Sequence, residues 1–340
     1  MTTDQPVSST VESGPDQPAL AAEHVSRDFQ VRLSDGRRMT ARVVDDVSVA
    51  LYPGRILGLV GESGSGKTTL ARLLGLVIQP TEGRIMLGGH PIGVKHLTRT
   101  TRGQVQLMFQ DPFGSLNRLH RLRYILGRPL RLHGRARTRA EVAAGVAELL
   151  ESVGLTPAGE FADRHPDELS GGQRQRVVIA RSLAPQPSVI LADEPVSMLD
   201  VSIRREILDL ISRLRERRVA VLYVTHDIAS ARYLCDTIAV MYAGQIVETG
   251  STEDVIDRPS HPYTQLLVDT TPQPAPPGNR RAGRERTAVV SVGEPPSPAE
   301  PPSGCRFHDR CPLATKVCIT SRPPLETTGG HGVACWHSGR

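Results

Sequence analysis

Gly61-Glu-Ser-Gly-Ser-Gly-Lys-Thr-Thr69 fits the pattern G-x-x-x-x-G-K-[ST]. Arg55-Ile-Leu-Gly-Leu-Val60 before it has the apolar run of a buried strand, and Leu70 to Ile78 after it has the spacing of a helix. Phosphate chemistry needs that order. Glycines let the backbone turn tightly enough for successive N–H groups to face phosphate oxygens. The start of the helix adds partial positive charge. Lys67 is placed to reach a β- or γ-phosphate, Thr68 to offer a hydroxyl to Mg²⁺, and Gly61, Ser63, Gly64, Ser65, Gly66 and Thr69 complete the cradle. A Gly-rich turn with no ligand has the same local pattern. Of the 41 lysines and arginines only three are lysines, Lys67, Lys95 and Lys316. A chain that otherwise uses arginine has put lysine where the phosphates would lie.

Working outward, a strand pattern with alternating apolar residues fills Ala21 to Val49, broken by a charged stretch from Arg32 to Arg42. It predicts a hairpin or small antiparallel sheet. Phe29 within it is either a core residue or an aromatic on which a base stacks. Thr81 to Gly89 predicts a turn and a strand, and Val105-Gln-Leu-Met-Phe-Gln110 a strand ended by Asp111-Pro112. Val142, Val146, Leu149, Leu150 and Val153 recur at helical spacing, so helices interrupt the α/β alternation.

Leu169-Ser-Gly-Gly-Gln173 opens a second helix whose N-terminus is able to face an anion. Val189-Ile-Leu-Ala-Asp193-Glu194 is a strand that ends in two carboxylates, suited to Mg²⁺ and to polarising water or simply solvated. Ala220 to Thr225 is another apolar strand with His226-Asp227 at its C-terminal end, where ligands gather in open α/β sheets. A histidine there is equally a structural residue. Ile238 to Met241 and Gln245 to Thr249 predict a hairpin around Ala243-Gly244.

The 340 residues allow two domains. No uninterrupted apolar run reaches the ~18 residues of a membrane span. Residues 1–20 have neither a basic start nor an apolar stretch, which excludes a signal peptide and predicts a disordered leader. The net charge of +5 suits an anionic membrane surface, nucleic acid, or an Arg-rich solvated surface. Pro272 to Ser303 is rich in Pro, Gly, Arg and Ser and predicts a linker or extended wrap. Of five cysteines, Cys235 predicts a buried core thiol, and Cys305, Cys311, Cys318 and Cys335 crowd the C-terminus. Without a secretion signal, metal ligation is favoured over disulfides. Four thiolates suit a [4Fe–4S] cluster or structural Zn²⁺, but the C-x₂-C pairs usual for zinc are missing.

Taken together, these motifs resemble the ATPase subunit of an ABC transporter over Ala21 to Thr271. Gly61–Thr69 resembles the Walker A loop, Gln110 the Q-loop glutamine, Leu169–Gln173 the signature, and Val189–Glu194 Walker B. Ser197-Met-Leu-Asp200 resembles the D-loop, and His226 the switch histidine. Met198 departs from the usual alanine there. Phe109-Gln-Asp-Pro-Phe-Gly-Ser-Leu-Asn117, Asp193–Ser197 and His261-Pro-Tyr-Thr264 are similar to the ATPases of oligopeptide/dipeptide importers. Gly75 to Gly83 and the longer N-terminal loop favour the second of their two paired ATPases.

The resemblance implies an α/β P-loop ABC ATPase domain over residues 21–271: a RecA-like core, an antiparallel β subdomain and a helical subdomain at about 111–180. An oligopeptide-importer-type extension with a cysteine-rich metal site would follow over 272–340. It implies ATP and Mg²⁺, with Lys67, Gln110, Glu194 and His226 catalytic and Thr68, Gln110 and Asp193 around Mg²⁺. Phe29 would meet the base, while Ser170, Gly171, Gly172, Gln173 and Asp200 would serve the site of a second ATPase subunit. It also implies two membrane-spanning permease subunits, an extracytoplasmic solute-binding protein acting indirectly, and a peripheral place on the cytoplasmic face of the membrane. Similar tails are associated with a [4Fe–4S] cluster. Nickel or glutathione remain possible solutes. A soluble ABC ATPase on nucleic acid or ribosomes is a competing reading, against which stand the single phosphate loop and the lack of heptads, so no nucleic acid is expected. An Fe–S redox sensor that uses ATP for regulation is a third.

Overall fold

The computed structural model describes residues 17–32, 36–93, 97–108, 111–270 and 293–338. In chain order, β1 (Leu20–Arg32) and β2 (Arg38–Leu51) form a long antiparallel hairpin. β3 (Ile56–Val60) leads through the phosphate loop into α1 (Lys67–Leu74). β4 (Glu82–Leu87) and β5 (His90–Ile92) complete a four-stranded antiparallel sheet in the order β2-β1-β4-β5. The first strand thus begins at Leu20, within the stretch predicted as leader, and Ala19 and Leu20 are both buried. Residues 1–16 of that leader lie outside the described residues.

α2 (Arg99–Gln104), β6 (Val105–Met108) and α3 (Pro112–Ser115) follow. A helical layer then interposes α4 (Leu122–Leu132), α5 (Arg139–Ser152) and α6 (Ala158–Asp163) before α7 (Gly171–Leu183). α5 begins where the sequence signals it. The Thr138 side chain accepts the Glu141 N–H, and Glu141 reaches back to the Thr138 N–H, a reciprocal cap.

The chain returns to the sheet with β7 (Val189–Asp193), α8 (Val201–Ser212), β8 (Ala220–Thr225), α9 (Ile228–Leu234), β9 (Thr237–Tyr242) and β10 (Gln245–Ser251). Ala243 and Gly244 sit at φ 44° and 87° between the paired residues Tyr242 and Gln245. Both central residues of a two-residue hairpin turn need such positive φ. α10 (Thr252–Asp257) and α11 (Pro262–Asp269) follow. The predicted linker lies mostly outside the described residues. Beyond it come α12 (Lys316–Thr320), β11 (Glu326–Thr328) and β12 (His331–Val333).

The main sheet has eight strands in the order β11-β12-β10-β9-β3-β8-β7-β6, and β9, β3, β8, β7 and β6 run parallel. Its central strands are buried on both faces, as parallel strands covered by helices are. Ile56, Val60, Ile190, Val221 and Tyr223 point into a core shared with the helical layer. Alternate residues Leu57, Leu59, Leu191, Leu222 and Val224 point into a second core, shared with α1 and the antiparallel sheet. Each such side chain stabilises the fold by roughly 1.5–3 kcal/mol. Cys235 is a core thiol, as predicted. A Cβ on Gly58 would come within 2.8 Å of its Sγ, so β3 and α9 meet only because Gly58 has no side chain.

Candidate nucleotide-binding site

β3 delivers the chain into a loop whose glycines the surroundings demand. Gly61 (φ 158°) has the Met241 carbonyl 2.2 Å from where a Cβ would be. Gly66 (φ 105°) has the Val43 carbonyl at 2.6 Å. Either side chain would force the loop off the sheet. Lys67, only 5% exposed, donates to the carbonyls of Gly61 and Glu62, both at 2.8 Å. Burial lowers the Lys67 pKa, and the nearby Glu194, Asp193 and Glu62 oppose that shift. The ammonium therefore curls back onto its own loop, a stance it can leave when phosphate oxygens replace the carbonyls.

β7 ends beside this loop. The Thr68 hydroxyl donates to Asp193 Oδ1 at 3.3 Å. Burial raises the Asp193 pKa against the pull of that hydrogen bond, with Glu194 adding to the rise. A buried carboxylate held up in this way would be relieved by a cation, and Thr68 and Asp193 together fit Mg²⁺. Glu194 sits at φ 47°, a left-handed backbone that non-glycine residues seldom adopt. Its N–H donates to the Val224 carbonyl at 2.9 Å and its carbonyl accepts the Ser197 hydroxyl at 3.0 Å. That bend turns the Glu194 side chain toward His226, whose Nδ1 lies 3.1 Å from Glu194 Oε1.

These groups face one cavity of about 620 Å³, lined by Gly61, Glu62, Ser63, Gly64, Gly66, Lys67, Thr68, Thr69, Glu194 and His226 together with Val43 and Leu267. Ser65 stands behind the loop, its carbonyl accepting the Gly244 N–H at 2.8 Å. Phe29 is not among the lining residues. It is half-buried beneath the Arg27 guanidinium, 4.7 Å from its ring centroid, and Val43 on the partner strand takes the lining position. Gln110 lies outside the described residues. Val43 and Leu267 had no motif to mark them. Tyr263 was quoted above without a role, yet its hydroxyl accepts the Glu62 N–H at 2.8 Å.

Ser170 caps α7 reciprocally with Gln173, and a Cβ on Gly172 would meet Ile203 Cγ2 at 2.6 Å. None of Ser170, Gly171, Gly172 and Gln173 lines the cavity described above. Asp200 starts α8 without a side-chain capping bond, and its neighbours Met198 and Val201 are 58% and 80% exposed.

The four C-terminal thiols are free. Burial pushes Cys305 up to about 11, and the thiols of Cys311, Cys318 and Cys335 each add to the rise, which puts all four within electrostatic reach. Cys311 and Cys335 are likewise raised by burial first. His337, which the sequence reading did not single out, has Nε2 3.6 Å from Cys318 Sγ. Among the described residues no three His, Cys, Asp or Glu side chains gather closely enough to hold a metal ion. The four-cysteine metal site predicted above, whether for a [4Fe–4S] cluster or for zinc, is therefore not assembled among the described residues.

A phosphate loop complete but for a helix tip that faces elsewhere defines an ATP-binding cassette of the ABC class. The ABC transporter family matches residues 44–197 and the oligopeptide/dipeptide transporter C-terminal region matches residues 247–318. The chain is 42% identical to the oligopeptide transport ATP-binding protein AppF of Bacillus subtilis, over 90% of this chain and 91% of that one. It is 40% identical to the oligopeptide transport ATP-binding protein OppF of Escherichia coli, over 87% and 88%. Among solved structures, the ATP-binding cassette MJ0796, a post-hydrolysis dimer bound to ADP and Pi, superposes with a TM-score of 0.61 at 28% identity. The alignment covers 68% of this chain and 98% of that one. The chain therefore belongs to the ABC transporter ATP-binding subunits of the oligopeptide/dipeptide type. Among the described residues no helix is long and apolar enough to cross a membrane.

Proposed function

We propose that this chain hydrolyses ATP to power the import of short peptides through a membrane ABC transporter. The observation that carries the catalytic half is the convergence of Lys67, Thr68, Glu194 and His226 on one cavity, with Asp193 bonded to Thr68 behind it. Lys67 and the loop amides would hold the phosphates. Thr68 and Asp193, with Gln110, would hold Mg²⁺, which supplies charge neutralisation between the phosphates. Glu194 would orient and deprotonate the attacking water, and His226 would steady Glu194 and meet the γ-phosphate. Similarity to OppF and AppF supports the peptide substrate.

Ser170, Gly171, Gly172, Gln173 and Asp200 would complete the nucleotide site of a second ATPase subunit. Their absence from this chain's own cavity lining and the exposed Met198 and Val201 support that reading. Two permease subunits at the cytoplasmic face would receive the motion, and an extracytoplasmic solute-binding protein would deliver the peptide. Phe29, on the hairpin that also carries Val43, would meet the base.

For the C-terminal lobe we infer a [4Fe–4S] cluster held by Cys305, Cys311, Cys318 and Cys335. Four free thiols, the Cys311-Pro312 pair and the lack of C-x₂-C spacing suit the cluster better than Zn²⁺. Such a group would tie together a lobe too small for its own core. Anaerobic purification with iron, acid-labile sulfide and zinc analysis tests it: about four irons supports the cluster, whereas one zinc or no metal refutes it.

The function is tested by uptake of labelled short peptides in cells lacking this chain, complemented with wild type or E194Q. Uptake restored by wild type and lost in E194Q supports both halves. Uptake that never depends on the chain refutes the peptide assignment.

A further inference from the structure

Glu62 is an acid inside an anion-binding loop. It follows Gly61, lines the cavity, and its side chain is 27% exposed. Left alone, its carboxylate would oppose what the loop amides, the start of α1 and Lys67 do for phosphate. It is not left alone. Arg310, from the tail and 248 positions away, grips it with both arms of the fork, Nη1 to Oε2 at 2.9 Å and Nη2 to Oε1 at 3.0 Å. Paired two-point bonds of this kind are the strong form of ion pair. Arg310 is itself 9% exposed, and arginine does not lose its proton in proteins.

The fork is held rigidly. The guanidinium lies over the rings of Tyr242 and Phe307, 5.7 and 5.6 Å from their centroids, and donates to the Tyr242 hydroxyl at 3.3 Å. Phe307 is buried edge-on against Tyr242, their centroids 5.2 Å apart. Arg306 donates to the Ala243 carbonyl and reaches Asp45 at 2.7 Å. The stretch between Cys305 and Cys311 is therefore fastened by three side chains around the phosphate loop and the β9–β10 turn. Only Arg310 touches a cavity-lining side chain of the loop.

We propose that Arg310 is a positioning residue of the nucleotide site: it neutralises and fixes Glu62, so that the phosphate loop presents net attraction to the nucleotide. This rests on reading the cavity as the ATP site. A tail that merely stapled the fold would use Arg310 for stability alone, and Glu62 would then have no effect of its own on nucleotide affinity once Arg310 was gone.

The experiment is calorimetric binding of MgATP to the full chain, in wild type, R310A, R310K, E62Q, R310A/E62Q and K67A. R310A is expected to weaken binding about tenfold, and R310A/E62Q to return to within about twofold of E62Q, because removing the bare carboxylate removes the repulsion. R310K keeps the charge but loses the fork and should fall between wild type and R310A. The deficit of R310A should be smaller for MgADP, which carries less charge. R310A binding like wild type, or R310A/E62Q as weak as R310A, overturns the proposal. Should loss of Arg310 unfold the chain, R310K against R310K/E62Q decides by the same comparison, a deficit that E62Q does not relieve overturning the proposal. If K67A binds MgATP as well as wild type, the reading of the cavity itself fails, which the Arg310 variants alone would not reveal.

Discussion

His261 begins α11 as a buried, uncharged imidazole, and replacing it with asparagine should flatten the acid side of the stability curve. The residue is 1% exposed, and its Nδ1 accepts the Tyr263 N–H at 3.1 Å as the helix cap. Its own N–H goes to Glu248 Oε2 at 2.9 Å, and the far Glu248 oxygen pairs with His331 Nε2 at 2.7 Å. Burial pushes the His261 pKa down to about 3 from the ordinary 6.5. The unfolded chain therefore takes up a proton below about pH 6.5 that the folded chain refuses until about 3. Stability is fully present above the unfolded value and drains as pH falls toward the folded one. From about pH 7.5 to about pH 5 the loss is about 2 kcal/mol, approaching 1.4 kcal/mol per pH unit at the steep end.

Asparagine keeps a capping oxygen and cannot titrate. H261N should lose about 1 kcal/mol of packing at neutral pH. Its deficit against wild type should then close or reverse by about pH 5. Glu248 and His331 are present in both proteins and cancel in the difference. Urea unfolding followed by circular dichroism at several pH values measures this. Two parallel curves would show that His261 gains its proton in the folded state as readily as in the unfolded one, and would refute the reasoning.

Two further outcomes follow from contacts around the site. G172A should cost about 1–3 kcal/mol in unfolding free energy, since its Cβ would lie 2.6 Å from Ile203 Cγ2, and I203A should relieve much of that strain; an unchanged urea midpoint for G172A would count against close α7–α8 approach as the reason for glycine. Y263F removes the acceptor of the Glu62 N–H and should lower stability by about 1–3 kcal/mol while raising the Kd for MgATP several-fold; calorimetric titration showing unchanged affinity would confine Tyr263 to packing.

The parts of the site that could be read from sequence are those whose chemistry lies within a few residues. Gly61 to Thr69 names its own backbone demands, and Gly61 and Gly66 meet backbone where a side chain would go. Asp193 and Glu194 were legible because an apolar strand ending in acids places them at a sheet's C-terminal edge, and Thr68 does meet Asp193. The left-handed turn at Glu194 was not legible, because nothing in Asp-Glu-Pro distinguishes a strained φ from an extended one. Phe29 was placed by resemblance to an aromatic that stacks on a base. In the structure β1 carries it beneath Arg27, and the cavity is lined by Val43 from the neighbouring strand. A residue's side of a sheet depends on register, and β1 and β2 shift register at Ala22, Val25 and Arg27, which no alternation pattern reveals.

The tail shows the same limit over a longer distance. Its composition predicts a linker or extended wrap followed by a cysteine-rich extension, and names no residue that would join either to the core. Yet β12 pairs with β10 through Glu248–Val333 and Thr249–Gly332, and β11 pairs with β12, so the main sheet ends in strands drawn from the tail. Arg306 and Arg322 then close on Asp45, which burial pushes toward a raised pKa but which Gln245 and the surrounding guanidiniums hold below the usual carboxylate range. The Asp45 pairs join residues 261 and 277 positions apart, and the β10–β12 pairing spans more than eighty, distances at which no local propensity operates. Their positions share one property: Asp45 lies on the strand that carries Val43, and Glu62 lies on the phosphate loop. A lobe with so little core of its own gains order by binding where the main domain already holds buried charge. The charge it finds there borders the nucleotide cavity, so on the role proposed for Arg310 the seating of the lobe would bear on the phosphate loop.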